Sequence, residues 1–244
     1  TVSLNTKTIF APLKNWWMEF EIFELINGIR VVHRQVERPV AHCGLMIMAG
    51  SRDEYPEEEG LAHFIEHVLF KGTKKRKAFH ILSRMEDAGG ELNAYTDKET
   101  TVIYSSFLET DYKRAIDLIF DIGFYSILPE KEIEKEKEVI IDEINSYKDS
   151  PSELIFDDFE EALFPGHSLG MNILGTPEKV KRFSRKDILN FISREYGNNR
   201  MVFSSVGNIS SKKLKQQLEK ATEHLVGKTS KHNRVAPPLY TPRR

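Results

Sequence analysis

Apolar residues in this chain recur now at every second position, now at every third or fourth, and the two rhythms alternate along its length. Such patterning packs helices against strands and predicts one α+β domain, a mostly antiparallel sheet with helices laid on it. Phe20–Leu25 and Ile29–Gln35 flank Asn27-Gly28, the turn chemistry of a β-hairpin. Ala41–Ala49, Leu92–Thr96, Thr100–Leu108 and Met201–Val206 read as further strands. Helices are expected over Leu61–Phe70, Ala78–Ala88, Asp111–Tyr125, Pro129–Tyr147, Pro151–Leu163, Thr176–Phe183, Arg185–Tyr196 and Ser210–His224. Gly89-Gly90 closes the second of them, and Ser184 and either Ser210 or Ser211 stand where N-caps belong.

Composition narrows the function classes. The 244 residues hold 35 Lys plus Arg against 37 Asp plus Glu, which leaves no basic surplus to clamp nucleic acid or a membrane surface. A lone cysteine, Cys43, excludes an internal disulfide framework and any multi-cysteine metal site. The longest apolar runs, Gly44–Gly50 and Phe120–Leu128, fall far short of the roughly 20 residues that span a bilayer. A reducing compartment suits such a chain, so a cytoplasmic location, or an organelle matrix, is expected. Residues 1–17 lack the basic start and apolar core of a secretory signal and read as an extension ahead of Met18 or as the start of a processed, mature chain. The domain is expected over residues 18–226. Residues 227–244, polar and then rich in proline, read as a linker toward a second domain.

The chemistry concentrates in Leu61-Ala-His-Phe-Ile-Glu-His-Val-Leu-Phe-Lys-Gly-Thr. On a helix His63 and His67 lie four residues apart, so both imidazoles reach one ion from the same face. Glu66 stands beside them. Two neutral imidazoles suit zinc (Zn2+), and a third protein ligand would leave one position for water. Zinc brings the pKa of such water to about 7, and a neighbouring carboxylate that does not bind the metal can take its proton. The plainer alternative is a surface helix with two solvated histidines. Against it, Phe64, Ile65, Val68 and Leu69 are apolar and would bury the helix.

A third ligand should come from another rigid element, and Glu132–Tyr147 is the best candidate region. Its first half alternates in charge, so Glu132, Glu134, Lys135 and Glu138 belong to a solvated face. Glu143 instead sits among Val139, Ile140, Ile141 and Ile144, where an unpaired carboxylate is costly. Glu136 precedes it by two helical turns on the same stripe. An ordinary partly exposed carboxylate remains the competing reading of Glu143. Two histidines and one carboxylate would also suit Fe(II).

These residues carry a resemblance. HFIEHVLFKGT, with Glu143 of EKEVIIDEI 76 residues beyond His67, resembles the inverted-motif zinc peptidases of the pitrilysin family, which includes insulysin and mitochondrial processing peptidase. The likeness continues through Glu91-Leu-Asn-Ala-Tyr-Thr, Leu174-Gly-Thr-Pro-Glu and Asn198-Asn-Arg-Met-Val-Phe-Ser-Ser-Val-Gly-Asn, in consistent order from about Glu19 to His224. It implies that His63, His67 and Glu143 hold one zinc per chain and that Glu66 is the general base. It implies that Glu136 orients a ligand without touching the metal. It also implies that Leu92–Tyr95 forms a sheet edge on which a peptide or unfolded polypeptide substrate pairs, with Asn93 and Ala94 facing it. Active members of the family enclose substrate between at least two such domains. The resemblance therefore implies a zinc endopeptidase that needs a second homologous domain or subunit, in a homo-oligomer among other arrangements. A subunit that holds zinc and peptide without cleaving is the rival expectation.

Weaker candidates complete the reading. His33, His42, His80, His167, His224 and His232 show no metal-ligand spacing and are expected at the surface or in hydrogen-bonded core. Cys43 should be a buried small hydrophobe, and Trp16-Trp17 a sticky patch or partner contact. The cluster Lys71, Lys74, Lys75, Arg76 and Lys77 is expected as a solvated loop.

Overall fold

The structure, a computed structural model, describes residues 20–231 and 233–237. The expected extension over residues 1–17 with its Trp16-Trp17 pair, His232 and residues 238–244 lie outside the described residues. Six strands form one sheet: β1 (Glu21–Glu24), β2 (Arg30–Gln35), β3 (Val40–Ile47), β4 (Glu91–Thr96), β5 (Thr101–Leu108) and β6 (Met201–Gly207). Their spatial order is β1-β2-β6-β3-β5-β4, and every pairing is antiparallel except that of β2 with β6. The α+β expectation holds, with one difference in topology. Hairpin-like pairing of chain neighbours occurs between β1 and β2 and between β4 and β5, while β6 inserts between β2 and β3. Periodicity marks a strand but says nothing about its neighbours, which long-range pairing decides.

The β1–β2 turn is also wider than a two-residue hairpin. Leu25 N–H donates to Ile29 O (2.9 Å), so Ile26, Asn27 and Gly28 lie inside the loop. Gly28 takes φ +88°, a left-handed value that a side chain would strain.

Alternation along the strands puts Val31, His33, Ala41, Cys43, Leu45, Ile47, Ile103, Phe107 and Phe203 on one buried face. Helix α3 (Tyr112–Tyr125) packs on that face, and α8 (Ser211–Thr222) packs against α3. Ser210 caps α8 by accepting from Lys213 N–H, and Ser184 caps α7 (Arg185–Glu195) in a capping box with Asp187. His33 is a core histidine, as expected, with its ring nitrogens 3.2 Å from Ser205 O and 2.9 Å from Ile209 O. Cys43 is buried, and burial pushes its thiol pKa up, so it packs as a hydrophobe.

A further group of helices adjoins β4: α1 (Leu61–Leu69) and α2 (Ala78–Glu86) pack against that strand, α4 (Glu130–Lys148) packs on α1, and α5 (Pro151–Leu163) and the short α6 (Pro177–Val180) pack on α4. Gly89 at φ +70° closes α2, where Gly90 N–H donates to Met85 O. Part of the expected linker lies on the domain. Asn198 N–H donates to Lys228 O (2.7 Å), and Arg234 pairs with Asp53 (2.7 Å). Among the described residues no helix is long and apolar enough to cross a membrane.

Candidate metal centre

Helix α1 begins without a capping side chain, since Gly60 occupies its N-cap position at φ +94°. The missing acceptor comes from the loop before it. Glu54, 5% exposed, accepts from Gly60 N–H (3.0 Å) and Ala62 N–H (2.7 Å), while burial pushes its carboxyl pKa well above the usual range. A second clamp is backbone on backbone. A Cβ on Gly175 would lie 2.3 Å from Glu59 O, so only glycine lets the Leu174-Gly-Thr-Pro-Glu stretch reach the start of α1. A third clamp is Arg200, 2% exposed, which pairs with Glu195 and with Asp53 (3.3 Å) and so fixes the loop that carries Glu54. Sequence reasoning missed Glu54. The signal that points to it is the glycine at the N-cap, which calls for an acceptor from elsewhere in the chain. Glu54→Ala strands two buried N–H groups, so we expect it to lower unfolding free energy in urea melts by about 1–3 kcal/mol.

From α1, so held, His63 and His67 project together, their ring centroids 4.7 Å apart. Glu143 reaches them from α4. His63 Nε2 lies 3.8 Å from Glu143 Oε1, and His67 Nε2 lies 3.5 Å from Glu143 Oε2. Ligand atoms of all three residues fall within 4.8 Å of one another. Tetrahedral zinc with ligands at about 2.1 Å separates them by about 3.4 Å, so the spacing and the donor set fit this ion. His63 is 8% exposed, and burial together with His67 lowers its pKa to about 3. The imidazole is therefore neutral and offers a lone pair.

Glu143 corrects the burial argument made for it. Ile140 and Ile144 point into the core, but Val139 is half exposed and the Glu143 side chain is 43% exposed. The carboxylate faces the histidines from an open side rather than from an apolar patch. Its neighbours in sequence divide between two helix faces, which a run of apolar letters conceals.

Glu136 is the buried carboxylate on that helix, 5% exposed, and its Oε2 lies 3.2 Å from His67 Nδ1. Its other oxygen takes an ion pair from Lys71 Nζ at 2.7 Å. Of the basic cluster after α1, Lys74, Lys75 and Lys77 are exposed as expected, but Lys71 and Arg76 are not solvated. Lys71 is drawn to Glu136, and Arg76 is bound by Asp117 and the buried Asp121. Carboxylates far away in the sequence decide this.

Glu66 shares α1 with the histidines. Burial raises its pKa, which the nearby Thr96 hydroxyl of β4 offsets in part, and among the described residues its Oε2 is buried without a hydrogen-bond partner. Strand β4 ends the sheet, with β5 on one side only. Asn93 is exposed, and its Oδ1 accepts from Ala94 N–H (2.8 Å). Ala94 is half-buried and packs against the core.

Residues 30–177 match the family model described as insulinase (peptidase family M16), and residues 182–244 match one described as the peptidase M16 inactive domain. The chain is 38% identical, over 78% of its length, to YmxG of Bacillus subtilis, named an uncharacterized zinc protease, and covers 46% of that protein. It is 37% identical, over 88% of its length, to mitochondrial-processing peptidase subunit beta of Bos taurus, covering 43%. The chain thus spans about half the length of these curated relatives. The crystal structure of a protease from Helicobacter pylori matches 92% of this chain and 54% of that one, with a TM-score of 0.83 at 25% identity.

Proposed function

The chain belongs to the insulinase family, peptidase family M16, and from that premise we propose that it is the zinc-holding domain of an endopeptidase. The observation that carries the reading is the convergence of His63, His67 and Glu143, with Glu66 on the same helix. These three residues would hold one zinc, which would supply a Lewis acid for a peptide carbonyl and lower the pKa of a water to about 7. Iron fits the same donor types, but the relative YmxG carries a zinc protease's name, and iron chemistry would leave Glu66 without a role.

The chain's own residues do the rest. Glu66 takes the proton from the attacking water and delivers it to the departing amine. Its burial favours the protonated form, and the nearby Thr96 hydroxyl favours the charged form. A general base held between these tendencies can both accept and return a proton. Glu136 accepts from His67 Nδ1 and so turns the opposite ring nitrogen toward the ion. The β4 edge, through Asn93 and Ala94, takes a peptide or unfolded polypeptide as an added strand, main chain to main chain. In this reading residues 18–226 are the catalytic domain and 227–244 lead toward a second homologous domain or subunit.

A second reading is a subunit that holds zinc and peptide without cleaving, favoured by the match of residues 182–244 to an inactive-domain model. The metal site itself is tested by Glu143→Gln. We expect the variant to lose zinc affinity by at least tenfold, roughly the least that loss of an outer-shell partner costs. Metal analysis after dialysis against a chelator reads it. Zinc retention equal to that of the unsubstituted chain would place the third ligand elsewhere.

A further inference from the structure

We propose that Lys71 is a positioning residue for the metal centre, holding Glu136 where it can orient His67. The inference rests on the zinc-site reading above. Lys71 lies one turn past His67, just beyond the end of α1, and its N–H donates to Val68 O (3.2 Å), which ties its backbone to the helix. Its Nζ is 2.7 Å from Glu136 Oε1, while Glu136 Oε2 lies 3.2 Å from His67 Nδ1. One carboxylate, its side chain 7% exposed, thus faces two donors, one at each oxygen.

The consequence is geometric. A carboxylate pinned by an ammonium offers only acceptors, so His67 donates from Nδ1 and keeps the Nε2 lone pair for the metal. That nitrogen is the one 3.5 Å from Glu143. Without Lys71, a buried carboxylate has one donor in place of two and is free to turn about its side-chain torsions. The other basic residues of the cluster do not substitute for it. Lys74 and Lys75 lie over the Tyr125 ring, and Arg76 is bound to Asp117 and Asp121.

The test is zinc affinity of the full chain, measured by competition with a chromophoric chelator. The variants are Lys71→Met, Lys71→Gln and Lys71→Arg, and Lys71→Met is repeated in a Glu136→Gln background. Loss of an outer-shell partner typically costs ten- to a hundredfold in metal affinity, so we expect Met and Gln to raise the zinc Kd about tenfold. Lys71→Arg, which keeps the charge, should restore most of the affinity. In the Glu136→Gln background Lys71→Met should add no further loss, a coupling that general destabilisation would not produce. Should the Met variant not fold, the Gln variant, which keeps polarity without charge, carries the comparison. Unchanged affinity in Met and Gln would overturn the proposal, as would an equal loss with and without Glu136. Stoichiometric zinc in His63→Ala would instead overturn the metal-site reading itself, independently of Lys71.

Discussion

Glu66→Gln is expected to leave zinc content unchanged and to cut hydrolysis of a quenched-fluorescence peptide about 10³- to 10⁴-fold, in the upper part of the range for a lost general acid–base. The substitution is nearly isosteric, so α1 keeps its packing and its neighbours. An amide has no basic oxygen for the attacking water's proton, and it has none to return to the amine. Both proton transfers fail together, hence the upper part of the range. The measurement pairs metal analysis with turnover at neutral pH, in the complete protein that carries this domain. Loss of stoichiometric zinc would make Glu66 a ligand, and unchanged turnover would remove it from the chemistry.

What the residues reveal before folding, and what they conceal, divides along sequence distance. His63 and His67 were legible because helical geometry converts a spacing of four into a shared face, and α1 obeys it. Strand and helix positions were legible for the same reason, each being a local rhythm. The place of β6 was not, because insertion between β2 and β3 is settled by pairing over more than 150 residues. Glu54 was hidden because its partners are backbone N–H groups, which leave no letter in the sequence. Lys71 was misread because its partner lies on another helix, and a lysine among lysines reads as solvated. Glu143 stands among apolar letters, yet its side chain is 43% exposed, because those neighbours divide between two faces of α4.

The proposed centre, taken by itself, should bind metal and hardly cleave. The chain spans about half the length of its curated relatives, and the site residues proposed in it all lie between His63 and Glu143. Its proposed ligand Glu143 is 43% exposed, so one side of the centre is open to solvent. A peptide laid on the β4 edge would pair with one strand only, since β4 has β5 on its other side. Positioning and donors aimed at the developing oxyanion supply much of a hydrolase's rate, and loss of one such donor alone typically costs about a hundred- to a thousandfold. We therefore expect the isolated chain to bind one zinc and turn over an unstructured peptide at least a hundredfold more slowly, by roughly that factor or beyond, than the same chain joined to its second homologous domain or subunit. The comparison is made at equal zinc occupancy and neutral pH, with a chelator control in both forms. Equal turnover in the two forms would make this domain self-sufficient. Turnover absent from both, with zinc bound, would favour the reading of a subunit that captures peptide and leaves cleavage to a partner.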